Sequence, residues 1–174
     1  MKRILCFLFV FCFFSCSYAQ TISGGVEYSA QDALIELRNN IPKTDFFLTA
    51  KNYVDSNHQE NYSTLLKGQT KLNDRTLGLF SDNTYAVKYN NDKEHVWYYD
   101  QSGCLINVEI RTASTYPYRT YKFTPEGELV NMSMRVSENE TFIFSPFGKL
   151  LGHWLNENCY DESKNVIMTR KIVK

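Results

Sequence analysis

The sequence has few of the residue groupings that carry enzyme chemistry. Its three histidines, His58, His95 and His153, lie far apart along the chain, so no local pair of zinc ligands exists. It contains no glycine loop of the phosphate-binding or dinucleotide-binding kind, and no Gly-x-Ser-x-Gly elbow of a serine hydrolase. We therefore assign no catalytic residue, no metal ligand and no cofactor from the sequence.

An excess of charge of one sign is also missing. The chain has 19 basic and 19 acidic residues, and no basic run stands out. A protein that binds nucleic acid needs a basic face to neutralise phosphates. We therefore expect no nucleic-acid partner.

No apolar run is long enough for a membrane-spanning helix, which needs about 20 residues. The longest run, residues 4–14, has 11 residues and follows Lys2 and Arg3. Small residues then stand at Ser17 and Ala19, the two positions that a signal peptidase reads. This pattern predicts a secretory signal over residues 1–19 and a secreted or periplasmic mature chain.

Cys16 marks an alternative site at which the signal could be cleaved. Residues 13–16 resemble a bacterial lipoprotein cleavage box. Lipidation at Cys16 would anchor the protein to a membrane. A membrane partner is expected only in that case.

Cysteine is scarce once the signal is removed. Three of the five cysteines lie in the signal, and only Cys104 and Cys159 remain. In an oxidising compartment such a pair can form a disulfide, provided that the Cα atoms come within about 7 Å. The alternative is two separate buried thiols.

One segment near the new N-terminus has helical periodicity. Ser29 and Asp32 have the spacing of an N-cap and an acidic first turn. Apolar residues follow at helical spacing, and Pro42 ends the pattern. We predict a helix over residues 29–40, after a flexible lead over residues 20–27; residues 44–69 show no clear pattern.

From residue 72 onward the apolar period changes to two, which is typical of half-buried strands. A phrase recurs there: aromatic, any residue, aromatic, Asp/Thr/Ser, two residues, Gly, any residue, Leu. It occupies residues 97–105, 121–129 and 142–150. Two degenerate copies are residues 80–84 and 159–166.

The phrase has the chemistry of a hairpin turn. Asp, Thr or Ser favours the first corner, and Pro favours the second, where φ is already near −65°. Glycine then adopts the left-handed conformation that completes a bulged hairpin. In the copy at residues 159–166, Lys164 stands where glycine is expected, and we expect Asn165 to take the left-handed conformation.

These patterns predict a mainly β fold, an antiparallel meander of eight or nine strands with one N-terminal α-helix. We expect residues 20–71, with the helix and an irregular segment, and residues 72–174, with the hairpin repeats, to form one globular domain. The helix would cover one end or face of the sheet.

The segment from Tyr99 to Leu105 resembles the tyrosine–aspartate (YD) repeat of bacterial cell-surface and toxin-shell proteins. The series as a whole resembles MORN-type hairpin repeats in length. The resemblance covers residues 97–168. It implies a structural or binding scaffold and brings no catalytic residues with it.

The sequence therefore favours an exported, non-enzymatic structural or binding module with an unknown protein or glycan partner. Alternatives are an envelope hydrolase acting on glycan or peptide through paired carboxylates, and an inhibitor or immunity partner of a secreted toxin. The candidate binding residues are aromatic side chains of the meander, whose alternative role is core packing. They are Trp97, Tyr99, Tyr121, Phe123 and Trp154.

Overall fold

A computed structural model of the chain describes residues 21–23, 26–42 and 74–173. The predicted signal, the lipidation site at Cys16 and the whole of residues 44–69 lie outside the described residues.

The predicted helix is confirmed as α1 (Ala30–Asn39). Ser29 is its N-cap and forms a complete capping box with Asp32, because each side chain accepts a hydrogen bond from the backbone N–H of the other. Asn40 is the C-cap and lies two residues before Pro42. The apolar stripe buries Ala30, Ala33 and Leu37.

The segment before α1 is not the flexible lead that we expected. Two short antiparallel strands, β1 (Thr21–Ser23) and β2 (Val26–Tyr28), pair there. The sequence signal for this hairpin is the Gly-Gly pair at positions 24 and 25 between two extended segments.

The predicted meander is confirmed, with ten strands rather than eight or nine, and the first and last strands pair to close a barrel. Closure leaves no unpaired strand edge in this sheet. The strands are β3 (Arg75–Phe80), β4 (Tyr85–Tyr89), β5 (His95–Tyr99), β6 (Leu105–Arg111), β7 (Tyr118–Phe123), β8 (Leu129–Arg135), β9 (Glu140–Phe144), β10 (Leu150–Leu155), β11 (Asn158–Tyr160) and β12 (Val166–Val173).

The recurring phrase forms the turns at one end of the barrel. Gly103, Gly127 and Gly148 have φ values of 85°, 90° and 88°, the left-handed conformation that the phrase predicts. In each turn the glycine N–H donates to the carbonyl of the Asp, Thr or Ser three residues earlier, at 2.9 to 3.0 Å. The β-bulges expected beside these turns are present in the β5–β6, β7–β8 and β9–β10 pairs.

Both degenerate copies adopt the same turn without glycine. In the β11–β12 turn Lys164 itself is left-handed, with φ 65°, so the expectation that Asn165 takes this conformation is wrong. The reason is that Asp161 accepts hydrogen bonds from the N–H groups of both Lys164 and Asn165, which fixes the register of the turn. Asn83 takes the left-handed position in the β3–β4 turn, with φ 67°. The barrel is therefore built from five consecutive hairpins with one turn geometry.

The two faces of the strands have different compositions. One face, which we call the outer face, carries most of the apolar core. Helix α1 packs on this face, against β8 and β9. The core residues of the outer face are Leu77, Tyr85, Val87, Trp97, Tyr99, Val108, Ile110, Tyr121, Phe123, Met132, Met134, Phe142 and Phe144.

Polar contacts hold α1 in place on the outer face. The Tyr121 hydroxyl donates to the carbonyl of Asn40 at 2.7 Å, which satisfies an otherwise orphaned group at the end of the helix. Arg119 forms an ion pair with Glu36 at 2.9 Å. Burial raises the pKa of Tyr121 to about 12, so its hydroxyl stays protonated and can donate.

Among the residues that the structure describes, no helix is long and apolar enough to cross a membrane.

Candidate functional site

The side chains that alternate with the outer-face residues line a cavity of about 340 Å³ that is partly open to solvent. We call this second set the interior face, because residues from nine of the ten strands line the same cavity. A barrel of eight strands is just filled by its own side chains, so ten strands leave room for an internal space. The volume falls at the small end of the range for small-molecule pockets.

Aromatic rings form one wall of the cavity. Phe80 stacks on Tyr98 with 6.1 Å between ring centroids and contacts Trp154 at 6.0 Å. Phe80 lies on β3 and Trp154 on β10, so this contact crosses the two strands between them. The guanidinium of Arg170 lies over the Trp154 ring at 4.7 Å, within the distance of a cation–π interaction.

Three polar side chains on neighbouring strands contact one another beside this wall: Tyr98, Glu109 and Lys122. The Tyr98 hydroxyl donates to Glu109 at 3.2 Å, and the Lys122 ammonium lies 3.4 Å from the centroid of the Tyr98 ring. Burial lowers the pKa of Lys122, whereas burial, helped by Glu109, raises the pKa of Tyr98 well above its usual value. The Lys122 amino group therefore lies against the face of the Tyr98 ring, beside Glu109 on the neighbouring strand.

A second group of cations lies towards the end of the barrel that carries the β4–β5 and β6–β7 loops. The Arg111 guanidinium lies 4.3 Å from the centroid of the Tyr118 ring, which stacks on Tyr116 at 5.2 Å. Arg135 lies 5.8 Å from the Tyr116 ring and directly opposite Tyr118 in the β7–β8 ladder. Lys88 faces the same space. Burial first, and then the charges of Arg111 and Arg135, lower the pKa of Lys88.

The interior face has an excess of basic side chains, although the whole chain has equal numbers of basic and acidic residues. Its strands carry a single carboxylate, Glu109, and one more, Asp82, lies exposed in the β3–β4 turn at the mouth. The cations of this face number five, on five different strands: Lys88, Arg111, Lys122, Arg135 and Arg170. Such a field inside low-dielectric walls attracts anions.

The structure divides the predicted binding residues between the two faces. Four of them belong to the outer-face core and are at most 3% exposed, which agrees with their alternative role in packing: Trp97, Tyr99, Tyr121 and Phe123. The fifth, Trp154, is 5% exposed and lines the cavity. Among the five, only Trp154 is placed to contact a molecule inside the barrel.

Cys104 and Cys159 are free thiols, but the alternative of two buried thiols holds only for Cys159. Cys104 is exposed in the β5–β6 turn, whereas Cys159 is buried on β11 and lines the cavity. Gly152 makes room for it, because a Cβ at that position would lie 2.6 Å from the Cys159 sulfur. Burial raises the pKa of the Cys159 thiol to about 11, so this thiol is a packing group rather than a nucleophile.

Two carboxylates that a hydrolase could use, Glu140 and Asp161, have protein partners and do not line the cavity. Glu140 is buried on β9 and binds His153 at 2.8 Å, and the His153 ring stacks on Phe142 at 4.2 Å. The carboxylate of Asp161 accepts hydrogen bonds from Asn165 within its turn. Within the described part of the chain, no three potential metal-ligating side chains come together.

Sequence reasoning missed most of the cavity because it followed the apolar positions of each strand. The available signal was the set of charged residues at the alternating positions, such as Glu109, Lys122 and Arg135. On an ordinary antiparallel sheet these positions face solvent. Only closure of the sheet turns them into the lining of a cavity.

A comparison with protein-family models, curated proteins and solved structures found no match.

Proposed function

We propose that the chain is an exported, non-enzymatic binding protein that holds a small molecule inside its barrel. The observation that carries the proposal is the cavity of about 340 Å³ lined by residues from nine strands. Ligand sites are typically concave and largely preformed, with apolar walls and a few polar groups that fix orientation. Aromatic rings at Phe80, Tyr98 and Trp154 supply the walls, and Lys122 and Glu109 supply polar groups.

Export is the part of the proposal that rests on the sequence. The basic start, the short apolar run and Ala19 support cleavage after residue 19. Intact mass of the mature protein tests it directly. A mass that begins at Gln20 supports a soluble exported protein, one that begins at an acylated Cys16 supports an anchored one, and an uncleaved chain contradicts export.

Binding inside the barrel can be followed through tryptophan fluorescence, because the chain has only two tryptophans, one on each face. The variant Trp97→Phe leaves Trp154 in the cavity as the only tryptophan. The matched variant Trp154→Phe leaves Trp97, which is buried in the outer-face core. A neutral nitroaromatic, 4-nitrobenzamide, quenches tryptophan on contact and is small enough for the cavity.

We expect saturable quenching in Trp97→Phe and none in Trp154→Phe. Filling the cavity by Ser133→Phe in the Trp97→Phe background should abolish the quenching, because Ser133 is buried on the interior face. Thermal melting establishes that the filled variant is folded. Equal quenching of both tryptophans, or quenching that does not saturate, would contradict binding inside the barrel.

A further inference from the structure

Three cations converge at one end of the barrel interior. Lys88 lies on β4, Arg111 on β6 and Arg135 on β8, and the charges of both arginines act on Lys88. The three strands are not neighbours, so the side chains approach one another across the interior. Arg135 also lines the cavity, which connects this cationic end to the proposed binding space.

None of these three cations forms a close ion pair with another described residue. No carboxylate there lies within 4 Å of Lys88, Arg111 or Arg135. The charges of two carboxylates act on this group from a longer distance, Asp92 on Lys88 and Glu109 on Arg135. Both carboxylates already have a partner, because Asp92 binds His95 at 3.0 Å and Glu109 accepts a hydrogen bond from Tyr98. Three cations gathered with so little compensation repel one another and are costly to desolvate.

Two of the guanidinium groups also have unused donors. The Nε atoms of Arg111 and Arg135 are both buried, and neither has a hydrogen-bond partner in the described part of the chain. Arg135 donates from Nη2 to the carbonyl of Glu138 at 3.1 Å and also forms a hydrogen bond with Tyr118, so among these donors its Nε is the one without a partner. A buried donor left unpaired is costly, and a planar guanidinium fits an oxyanion with two parallel hydrogen bonds.

We propose that the ligand carries an oxyanion group, and that Lys88, Arg111 and Arg135 bind this group while the ligand body lies against the aromatic wall. This inference rests on the proposed function and names the chemical class of its ligand. Carboxylate, sulfonate and phosphate esters share the required chemistry. The Tyr116–Tyr118 stack holds the two guanidinium planes beside the oxyanion.

The test compares two probes that differ in one group. 4-Nitrobenzoate is an anion, and 4-nitrobenzamide is its neutral isostere. Hydrogen bonds to charged groups contribute about 1.5–3 kcal/mol, so calorimetric titration of the full mature chain should give 4-nitrobenzoate a roughly 10-fold to 100-fold lower Kd. The Kd values of 4-nitrobenzenesulfonate and 4-nitrophenyl phosphate, measured alongside, identify which oxyanion fits best.

The variants Lys88→Gln and Arg111→Gln locate the anion site. Thermal melting establishes that both variants are folded, and the Kd of 4-nitrobenzamide measured on each variant is the reference against which the anion preference is calculated. The preference for the anion should fall at least five-fold in each variant. The matched variant Lys171→Gln removes an exposed cation of β12 that does not line the cavity, and it should leave the preference intact.

The outcomes separate the two proposals. If the wild-type chain binds both probes equally, the oxyanion site is refuted and the internal cavity stands. The same conclusion follows if Lys88→Gln and Arg111→Gln keep the full preference. If neither the neutral nor the anionic probes bind, the proposed function fails, and the oxyanion site fails with it.

Discussion

The outer and interior faces of the same ten strands differ in burial, charge and the way their side chains pack. From β3 to β9 the outer face is mostly apolar and almost fully buried, and its rings stack between adjacent strands, as Tyr85 does on Tyr99 at 5.3 Å. The interior face is half-buried and charged, and its contacts cross the barrel, as between Phe80 and Trp154. Most of the buried apolar side chains lie on the outer face, so we expect this face to contribute most of the stability.

The largest expected effect is the difference in stability lost when a residue is truncated on each of the two faces. Phe123→Ala removes a fully buried ring from the outer-face core and should lower the free energy of unfolding by about 3–5 kcal/mol. Asn131→Ala truncates a half-buried residue of the interior face and should change it by less than about 0.5 kcal/mol. Unfolding in guanidinium chloride measures both. Equal losses in the two variants would remove the distinction between the faces.

A smaller expected effect is the difference in alkylation rate between the two thiols, which reports whether the interior is closed to reagents. Because the pKa of Cys159 is about 11, only about one in a thousand of these thiols is ionised at pH 8. Iodoacetamide should therefore modify exposed Cys104 first, with Cys159 at least 100-fold slower.

The same reaction in denaturant is the control, since both thiols should then react at similar rates. Mass spectrometry of peptides follows each site. Rapid modification of Cys159 in the folded chain would mean that the barrel opens at β11 or that the interior is not as described.

The smallest effect concerns the turns, which decide how the two faces alternate along each hairpin. Gly127→Ala places a side chain at φ 90° and should cost about 1–2 kcal/mol. Lys164→Gly relieves the same kind of conformation at φ 65° and should stabilise the chain by up to about 1 kcal/mol. Opposite signs in thermal or chemical unfolding support one shared turn geometry; a loss of stability in Lys164→Gly would contradict it.

The sequence was a good guide to local structure. The capping pair Ser29 and Asp32 located the helix, and the recurring phrase located the turns at Gly103, Gly127 and Gly148. These features depend on residues close together along the chain. Their chemistry is therefore readable without the rest of the fold.

The site could not be read in the same way, because it depends on barrel closure. Pairing of β12 with β3 joins residues almost a hundred positions apart, such as Phe80 and Arg170. No local pattern indicates that pairing. Without it, Glu109 and Lys122 appear as solvent-facing charges, and Trp97 appears as a ring available for binding rather than a part of the core.

A crystal structure of the mature chain with 4-nitrobenzoate tests the central claim most directly. The account predicts a closed barrel of ten strands with the nitrobenzoate inside it. The aromatic ring should lie beside Trp154, and the carboxylate should lie within hydrogen-bond distance of Arg111 or Arg135. An open sheet, an interior filled by protein side chains, or nitrobenzoate bound only on the outer face would contradict it.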